Sequence, residues 1–325
     1  MKLSLFIVLS IIALVVQAKD VLFLFAKNDL FGYVNYSGKI VIPAKFTQGL
    51  NFSEGLAAVV KNNKFCYINT KGRVVIDGDF IGINSFSEGL ASVVKKVNNS
   101  DKYGYINESG IFVIPCKFEF GYRFSSGLAV IQKNKKFGVI NKNGEQVVPP
   151  EFDYISDTIS EDTFIVKMNS KSPWSCRTIA QKELFSLSNV EFLDSFSNGR
   201  AIIVRGQKYG FVDKKGVEVI SCQYSFALPF SEKLSVCCKG DKYGYINLAG
   251  KVQIDFLYDN AFSFSEGLAC VKYKGRWGYI SHNGEWIIKP IFKQAGSFEN
   301  GLAWVESDKF SGYISKTGRQ IYYHE

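Results

Sequence analysis

The chain has 325 residues, 39 Lys and Arg against 30 Asp and Glu, a formal net charge of +9, and is 46% hydrophobic and 15% aromatic. That is ample material for a packed core and excludes an intrinsically disordered chain. Frequent Phe, Tyr, Val and Ile suit a pleated, half-buried surface better than helices.

Residues 1–18 read as an export signal. Lys2 is a short basic start, Leu3 to Val16 form an apolar run, and Val16-Gln17-Ala18 sets small residues at a cleavage point. The run is shorter than the roughly 20 residues of a membrane span. Its removal leaves 19–325 as the folded domain, with no stable membrane span, and lowers the net charge from +9 to +8 through loss of Lys2. The expected location is secreted or extracellular, or periplasmic if the source is bacterial.

From there the chain repeats itself. FGYVNYSGKIVIPAKF begins at Phe31, FCYINTKGRVVIDGDF at Phe65, YGYINESGIFVIPCKF at Tyr103 and FGVINKNGEQVVPPEF at Phe137. YGFVDKKGVEVISCQY at Tyr209, YGYINLAGKVQIDFLY at Tyr243, WGYISHNGEWIIKPIF at Trp277 and SGYISKTGRQIYY at Ser311 complete the series. A second block, FSEGLAAVV at Phe52 and its equivalents, recurs between them, and the common step, as from Phe31 to Phe65, is 34 residues. The interval from Phe137 to Tyr209 is about twice that step and holds a degenerate copy around 152–195, with Trp174 at the aromatic position. Nine units result.

Each unit is expected to hold three short strands, one from GLA-x-V, one through YGYIN and one through xxVIP. Asn or Asp followed by Gly in N-x-x-G makes the hairpin turn between the last two. Ile42, Ile76, Ile114, Val148, Ile220, Ile254 and Ile288 share one register and mark a core column. Pro43 and Pro115, without an N–H, are expected to end the third strand. Gly104 and Gly244 leave room for a neighbouring backbone. One such unit cannot hide its apolar face alone, whereas stacked copies bury one another. The fold class is therefore all-β, a tandem array of about nine three-stranded units of about 34 residues. An open solenoid-like stack is the favoured form and a closed β-propeller the alternative, since a propeller blade ordinarily has four strands.

With Trp277-Gly278 spelling its aromatic–glycine signature, residues 21–325 resemble the WG-repeat family. Here the aromatic is more often Tyr or Phe. The resemblance implies a β-rich array, often exported, with a binding role and no shared catalytic residues.

Sites of chemistry are sparse. His282 lies in a hairpin turn and His324 is penultimate, neither in the setting of a general base. No hydrolase, zincin, phosphate-loop or calcium-loop motif occurs, so no catalytic residue, metal or cofactor is assigned. Glu54, Glu88, Glu232 and Glu266 share a register, and copying argues for turn N–H acceptance over a glycosidase pair. Aromatics are the binding candidates: Trp174, Trp277, Trp286, Trp304 and Tyr279, with the Tyr column alternatively serving as inter-unit core. Of seven cysteines, Cys237 and Cys270 are the disulfide pair to test. Asn35, Asn51, Asn98 and Asn107 begin glycan-acceptor triplets. The expected function is a secreted, non-catalytic scaffold binding a protein or glycan, not nucleic acid. The alternatives are a carbohydrate-active enzyme on a propeller and a structural envelope or matrix component.

Overall fold

The computed structural model describes residues 21–323, and within them every regular element is a strand. The expected signal at 1–18 and His324 lie outside the described residues. Nine antiparallel sheets follow one another along the chain. The first has three strands, Leu22–Lys27, Leu30–Asn35 and Ile40–Phe46. Each of the others has four, as in repeat 2, where Gln48–Gly49, Leu56–Lys61, Lys64–Asn69 and Val74–Asp77 pair in that order. The expectation of three strands is thus corrected. A two-residue strand shortly after the last strand of one repeat opens the next sheet, with Gln48 opposite Val60 and Gly49 opposite Val59. A two-residue strand is too short to show the alternation by which strands are recognised. Repeats 3 to 9 begin at Gly82, Phe120, Tyr154, Phe192, Phe226, Asn260 and Gln294. Repeat 5, degenerate in sequence, is complete, running from Tyr154–Ile155 to Glu183–Leu187.

The turns explain the recurring polar letters. In N-x-x-G, the Asn35 side-chain oxygen accepts from the N–H groups of Ser37 and Lys39, at 3.0 Å each, and Gly38 takes φ 92°. The Lys-Asn-Asn-Lys connections are two-residue turns with both central residues left-handed, as at Asn62 (φ 50°) and Asn63 (φ 60°). That geometry matches the twist of paired strands, and Asn tolerates it. Glu54 (φ 53°) and Gly55 (φ 80°) form a similar turn, closed by two backbone hydrogen bonds between Ser53 and Leu56.

The glycine after the signature aromatic is set by a bulge. In repeat 3 the pairing jumps from Tyr103 opposite Phe118 to Tyr105 opposite Ile114. A Cβ on Gly104 would stand 2.7 Å from both the Ile114 oxygen and the Cys116 nitrogen. Where the position carries a side chain the jump is absent: Ser175 faces Ser186 in unbroken register, and Cys66 faces Asp77. The bulge also corrects the reading of proline. Pro43 lies inside the strand Ile40–Phe46, within the bulged stretch on the sheet's edge, and pairing resumes with Phe31 opposite Phe46.

The described residues part into two compact bodies, 21–129 with 142–144 and 321–323, and 130–141 with 145–320. In the first body, Leu22, Tyr33 and Ile42 pack on Ala57, Val59 and Ile68 of the next repeat, and Tyr67 and Ile76 pack on Ala91, Val93 and Ile106. In the second, the same layering joins Cys176 to Ile203, Phe211 to Ile246, Tyr245 to Ile280 and Tyr279 to Ile314. The core column is buried throughout, from Ile42 to Ile288. Each turn glycine also rests on the preceding repeat's core residue, Gly72 on Ile42, Gly110 on Ile76 and Gly144 on Ile114 in the first body. Gly250 on Ile220, Gly284 on Ile254 and Gly318 on Ile288 repeat the contact in the second.

Gly38 of repeat 1 makes this contact with Ile321 and Tyr322 of the last repeat, and the Phe25 and Tyr323 rings meet at 5.1 Å. An open stack leaves its first and last units apart. The open solenoid-like expectation is therefore overturned, and the closed β-propeller alternative, with nine blades, stands.

Candidate functional site

The aromatic column is the first candidate, and it is interior. Tyr33, Tyr67, Tyr105, Tyr245 and Tyr279 are fully buried. Each phenol donates to a backbone oxygen 17 residues on, in the next repeat: Tyr33 to Leu50, Tyr67 to Asn84, Tyr105 to Tyr122, Tyr245 to Phe262 and Tyr279 to Gly296, at 2.7–2.8 Å. Burial drives these phenols well above their ordinary pKa. Tyr279 thus offers no ring face to a ligand here, correcting its place among the binding candidates. Repeats 4 to 6 carry Val139, Cys176 and Phe211 at this position. Trp174 is also buried, between Tyr154 and Phe192, and its indole N–H donates to the Glu191 oxygen at 3.2 Å.

A second row clips repeats together at their turns. Ser53 donates to the Phe86 oxygen, Ser87 to Phe124, Ser160 to Phe196, Ser197 to Phe230, Ser231 to Phe264 and Ser265 to Phe298, all at 2.6–2.8 Å. Beside it, the Glu54 carboxylate accepts from the N–H groups of Glu88 and Gly89. Glu88 accepts from Gly127, Glu161 from Gly199, Glu232 from Gly267 and Glu266 from Gly301. The glutamate register thus accepts turn N–H groups, as its copying suggests. Four of these carboxylates also pair with a base in the next repeat's hairpin turn: Glu88 with Lys142, Glu161 with Lys214, Glu232 with His282 and Glu266 with Lys316, at 2.8–3.3 Å. Where Asn198 replaces the glutamate, the turn position is Leu248.

Partial burial raises the Glu88, Glu161 and Glu266 carboxyls, but the lysine hydrogen bonds and charges and the turn N–H groups outweigh it, leaving all three below 4.5. A depressed carboxyl stabilises the folded state above its unfolded pKa and loses that contribution as pH falls through the folded value. The denaturation midpoint is expected to be flat from about pH 7 to 5 and to fall below about 4.5, less steeply in a Glu88→Gln, Glu161→Gln, Glu266→Gln triple variant. Equal acid slopes in the two proteins would show that the clips do not carry this dependence.

The remaining tryptophans reach the surface. Trp277 is half-buried and stacks on Phe262 at 5.1 Å and 21°. Trp304 is 37% exposed on the strand Leu302–Glu306, opposite Tyr313. Trp286 is 36% exposed on the fourth strand of repeat 8, an edge of its sheet. Its ring lies 6.0 Å from Tyr258 and 6.1 Å from Tyr273, which are 6.4 Å apart, and the Lys274 ammonium sits 5.3 Å from the Tyr273 centroid. Ile287, the next residue of the strand, is also exposed.

Asp194 is a carboxylate outside the repeated register. At Asp194, burial pushes the carboxyl up, the Ser195 N–H partly offsets this, and Asp157 raises it further. Its register holds Leu50, Asn84 and Leu228 elsewhere. Among the described residues no group of three or more His, Cys, Asp or Glu is placed to hold a metal. No helix among them is long and apolar enough to cross a membrane.

All seven cysteines are free. Cys237 and Cys270, expected as a disulfide, sit as buried thiols in different core clusters. Adjacent repeats each enclose their own sulfur within a separate interface. Burial pushes Cys237 and Cys270 up to about 12 and Cys176 to about 11. Since thiolate is the reactive form, a thiol reagent is expected to count seven thiols in denaturant, while in the native protein Cys116 and Cys222 react before these three. Five thiols in unreduced, denatured protein would establish a bridge instead. Of the glycan-triplet residues, Asn51 and Asn98 are exposed, whereas Asn35 and Asn107 are half-buried with their side-chain oxygens engaged in turns.

A family model described as WG containing repeat matches residues 31–65, 67–96, 103–137, 137–171, 209–243, 243–277 and 277–309. The chain belongs to the WG containing repeat family. The segments of this WG-repeat protein mostly begin at its signature aromatics, and its residues 172–208 are left unmatched. No curated protein matches it. Among solved structures it is similar to Hsv2p of Kluyveromyces lactis, at 10% identity over 60% of this chain and 73% of that one, TM-score 0.41. It is also similar to a streptogramin B lyase structure, at 14% identity over 70% and 90%, TM-score 0.38.

Proposed function

We propose that this protein is an exported, non-catalytic binding scaffold that holds a protein or glycan partner on the aromatic surface of repeats 7 and 8. The observation that carries this reading is the Tyr258, Tyr273 and Trp286 cluster, where a third of Trp286 faces solvent at a sheet edge. A valine at the equivalent position, Val252, serves the fold of repeat 7. A broad amphipathic ring beside a lysine suits a sugar face or a protein side chain. The non-catalytic part is supported by the glutamates, since five of them share one structural task and catalysis needs carboxylates separated by environment.

The test is a glycan and surface-protein array probed with the chain lacking residues 1–18 and with its Trp286→Ala variant. Binding that weakens at least tenfold in the variant supports the reading, as loss of a central aromatic anchor costs about 2 kcal/mol or more. Undiminished binding by the variant overturns it.

A further inference from the structure

In the first body, an apolar slot of about 320 Å³ opens between Phe31 of repeat 1 and Phe65 of repeat 2, with Gln48, Leu50, Val60 and Ile83 on its other sides. It exists because of what occupies the short strand. In repeat 4 that position is Phe120, whose ring packs on Tyr103 of repeat 3 at 5.0 Å. In repeat 6 it is Phe192, packed on Trp174 of repeat 5 at 5.4 Å. In repeat 7 it is Phe226, held between Tyr209 of repeat 6 and its own Tyr243, at 5.8 and 6.0 Å. A ring held against a signature aromatic is thus the filling in repeats 4, 6 and 7, whereas repeats 8 and 9 carry Asn260 and Gln294 there. Repeat 2 has Gln48 there and repeat 3 has Gly82, and the gap between aromatic walls stays open.

The geometry points to a binding site for one planar aromatic ring bearing a hydrogen-bonding substituent, a phenol or an indole. The chain's own phenylalanines show the fit, since offset and edge-on ring pairs at 4.5–7 Å are favourable. An aliphatic cavity of about 150 Å³ already accepts benzene, so this slot takes a ring with its substituent and falls within the usual range for ligand sites. Gln48 lies exposed beside it, and its amide supplies both a donor and an acceptor. The slot is lined by residues of repeats 1 to 3 and is independent of the Trp286 surface and of the function proposed from it.

The test is a titration of the full chain, labelled at Leu, Val and Ile methyls, with p-cresol, followed by NMR. Saturable shifts at Leu50, Val60 and Ile83 with a Kd of about 1 mM or tighter are expected. The non-planar 4-methylcyclohexanol is expected to bind at least tenfold more weakly. Gln48→Phe, which copies repeats 4, 6 and 7, is expected to weaken p-cresol at least tenfold, and Asn260→Phe in repeat 8 to leave it unchanged. A blocked Gly-Tyr-Gly peptide separates the sources: shifts by peptide and p-cresol assign a partner's side chain, and shifts by p-cresol alone assign a free phenol. No saturable shifts at these methyls, or equal binding by 4-methylcyclohexanol, overturns the proposal, as does undiminished binding by a folded Gln48→Phe variant. The wild-type shifts and the comparison of the two probes decide it even where that variant does not fold.

Discussion

Replacing Tyr245 by Phe is expected to cost about 1–3 kcal/mol, and by Ala about 3–5 kcal/mol. The first change leaves the ring in place and removes only the hydroxyl, so the Phe262 oxygen loses its donor from repeat 7. A part-buried acceptor deprived of its donor carries desolvation cost that adds to the net worth of an average hydrogen bond. The second change also removes a fully buried ring that meets Phe264 at 5.0 Å and packs on Ala269 and Val271 of repeat 8. Repeat 6 supplies the comparison. Phe211 has no hydroxyl, and the Leu228 oxygen is served by Ser235, itself fully buried, at 2.6 Å. Ser235→Ala is therefore expected to match Tyr245→Phe in size, and adding Phe211→Tyr to Ser235→Ala to restore part of the loss. Denaturant midpoints of the four proteins measure this. A Tyr245→Phe protein within about 0.3 kcal/mol of wild type would mean that the phenol contributes packing alone.

Gly104→Ala is expected to cost about 3 kcal/mol, at the upper end for added core volume. The atoms that a methyl group would strike are backbone, the Ile114 oxygen and Cys116 nitrogen, and cannot step aside as a side chain does. Relief requires the bulge to open, which shifts Ile114 out of the core column. Repeats 2 and 5 mark the alternative, carrying Cys66 and Ser175 where the other register operates. Cys66→Ala is accordingly expected to change stability several-fold less than Gly104→Ala in the same thermal unfolding measurement. Similar losses at both sites would place the glycine's role elsewhere.

The repeat count, the all-β class, the N-x-x-G hairpins and the core column were legible because each recurs with side chains that have one physical use. Glutamate as an acceptor of turn N–H groups was legible for the same reason, since a copied residue points to a copied task. The fourth strand was not: Gln48–Gly49 and its equivalents are only two residues long and vary from Gly-Ile to Phe-Ala. Closure was hidden because nothing in repeat 9 marks Gly38 as its neighbour: Gly38 meets Ile321, one residue before the core-column position, which holds the exposed Tyr322. Tyr279 and Trp174 read as either surface or core, since a phenol or indole satisfied by a distant carbonyl leaves no local trace. The serine clips were open to view in the repeated Phe-Ser pair, but only spatial neighbours reveal the acceptor.

The glutamate clips bear on how such a chain lengthens or shortens. Lys142, Lys214, His282 and Lys316 each sit across from a carboxylate of the preceding repeat, while Leu248 follows the uncharged Asn198. The copies are consequently no longer interchangeable parts. A recombination that deleted repeat 8 would set Lys316 against Glu232 and keep the match, whereas deleting repeat 7 would bring His282 against Asn198 and leave the imidazole without its carboxylate partner. The tolerated lengths of this protein are thereby limited by which neighbours still carry compatible locks.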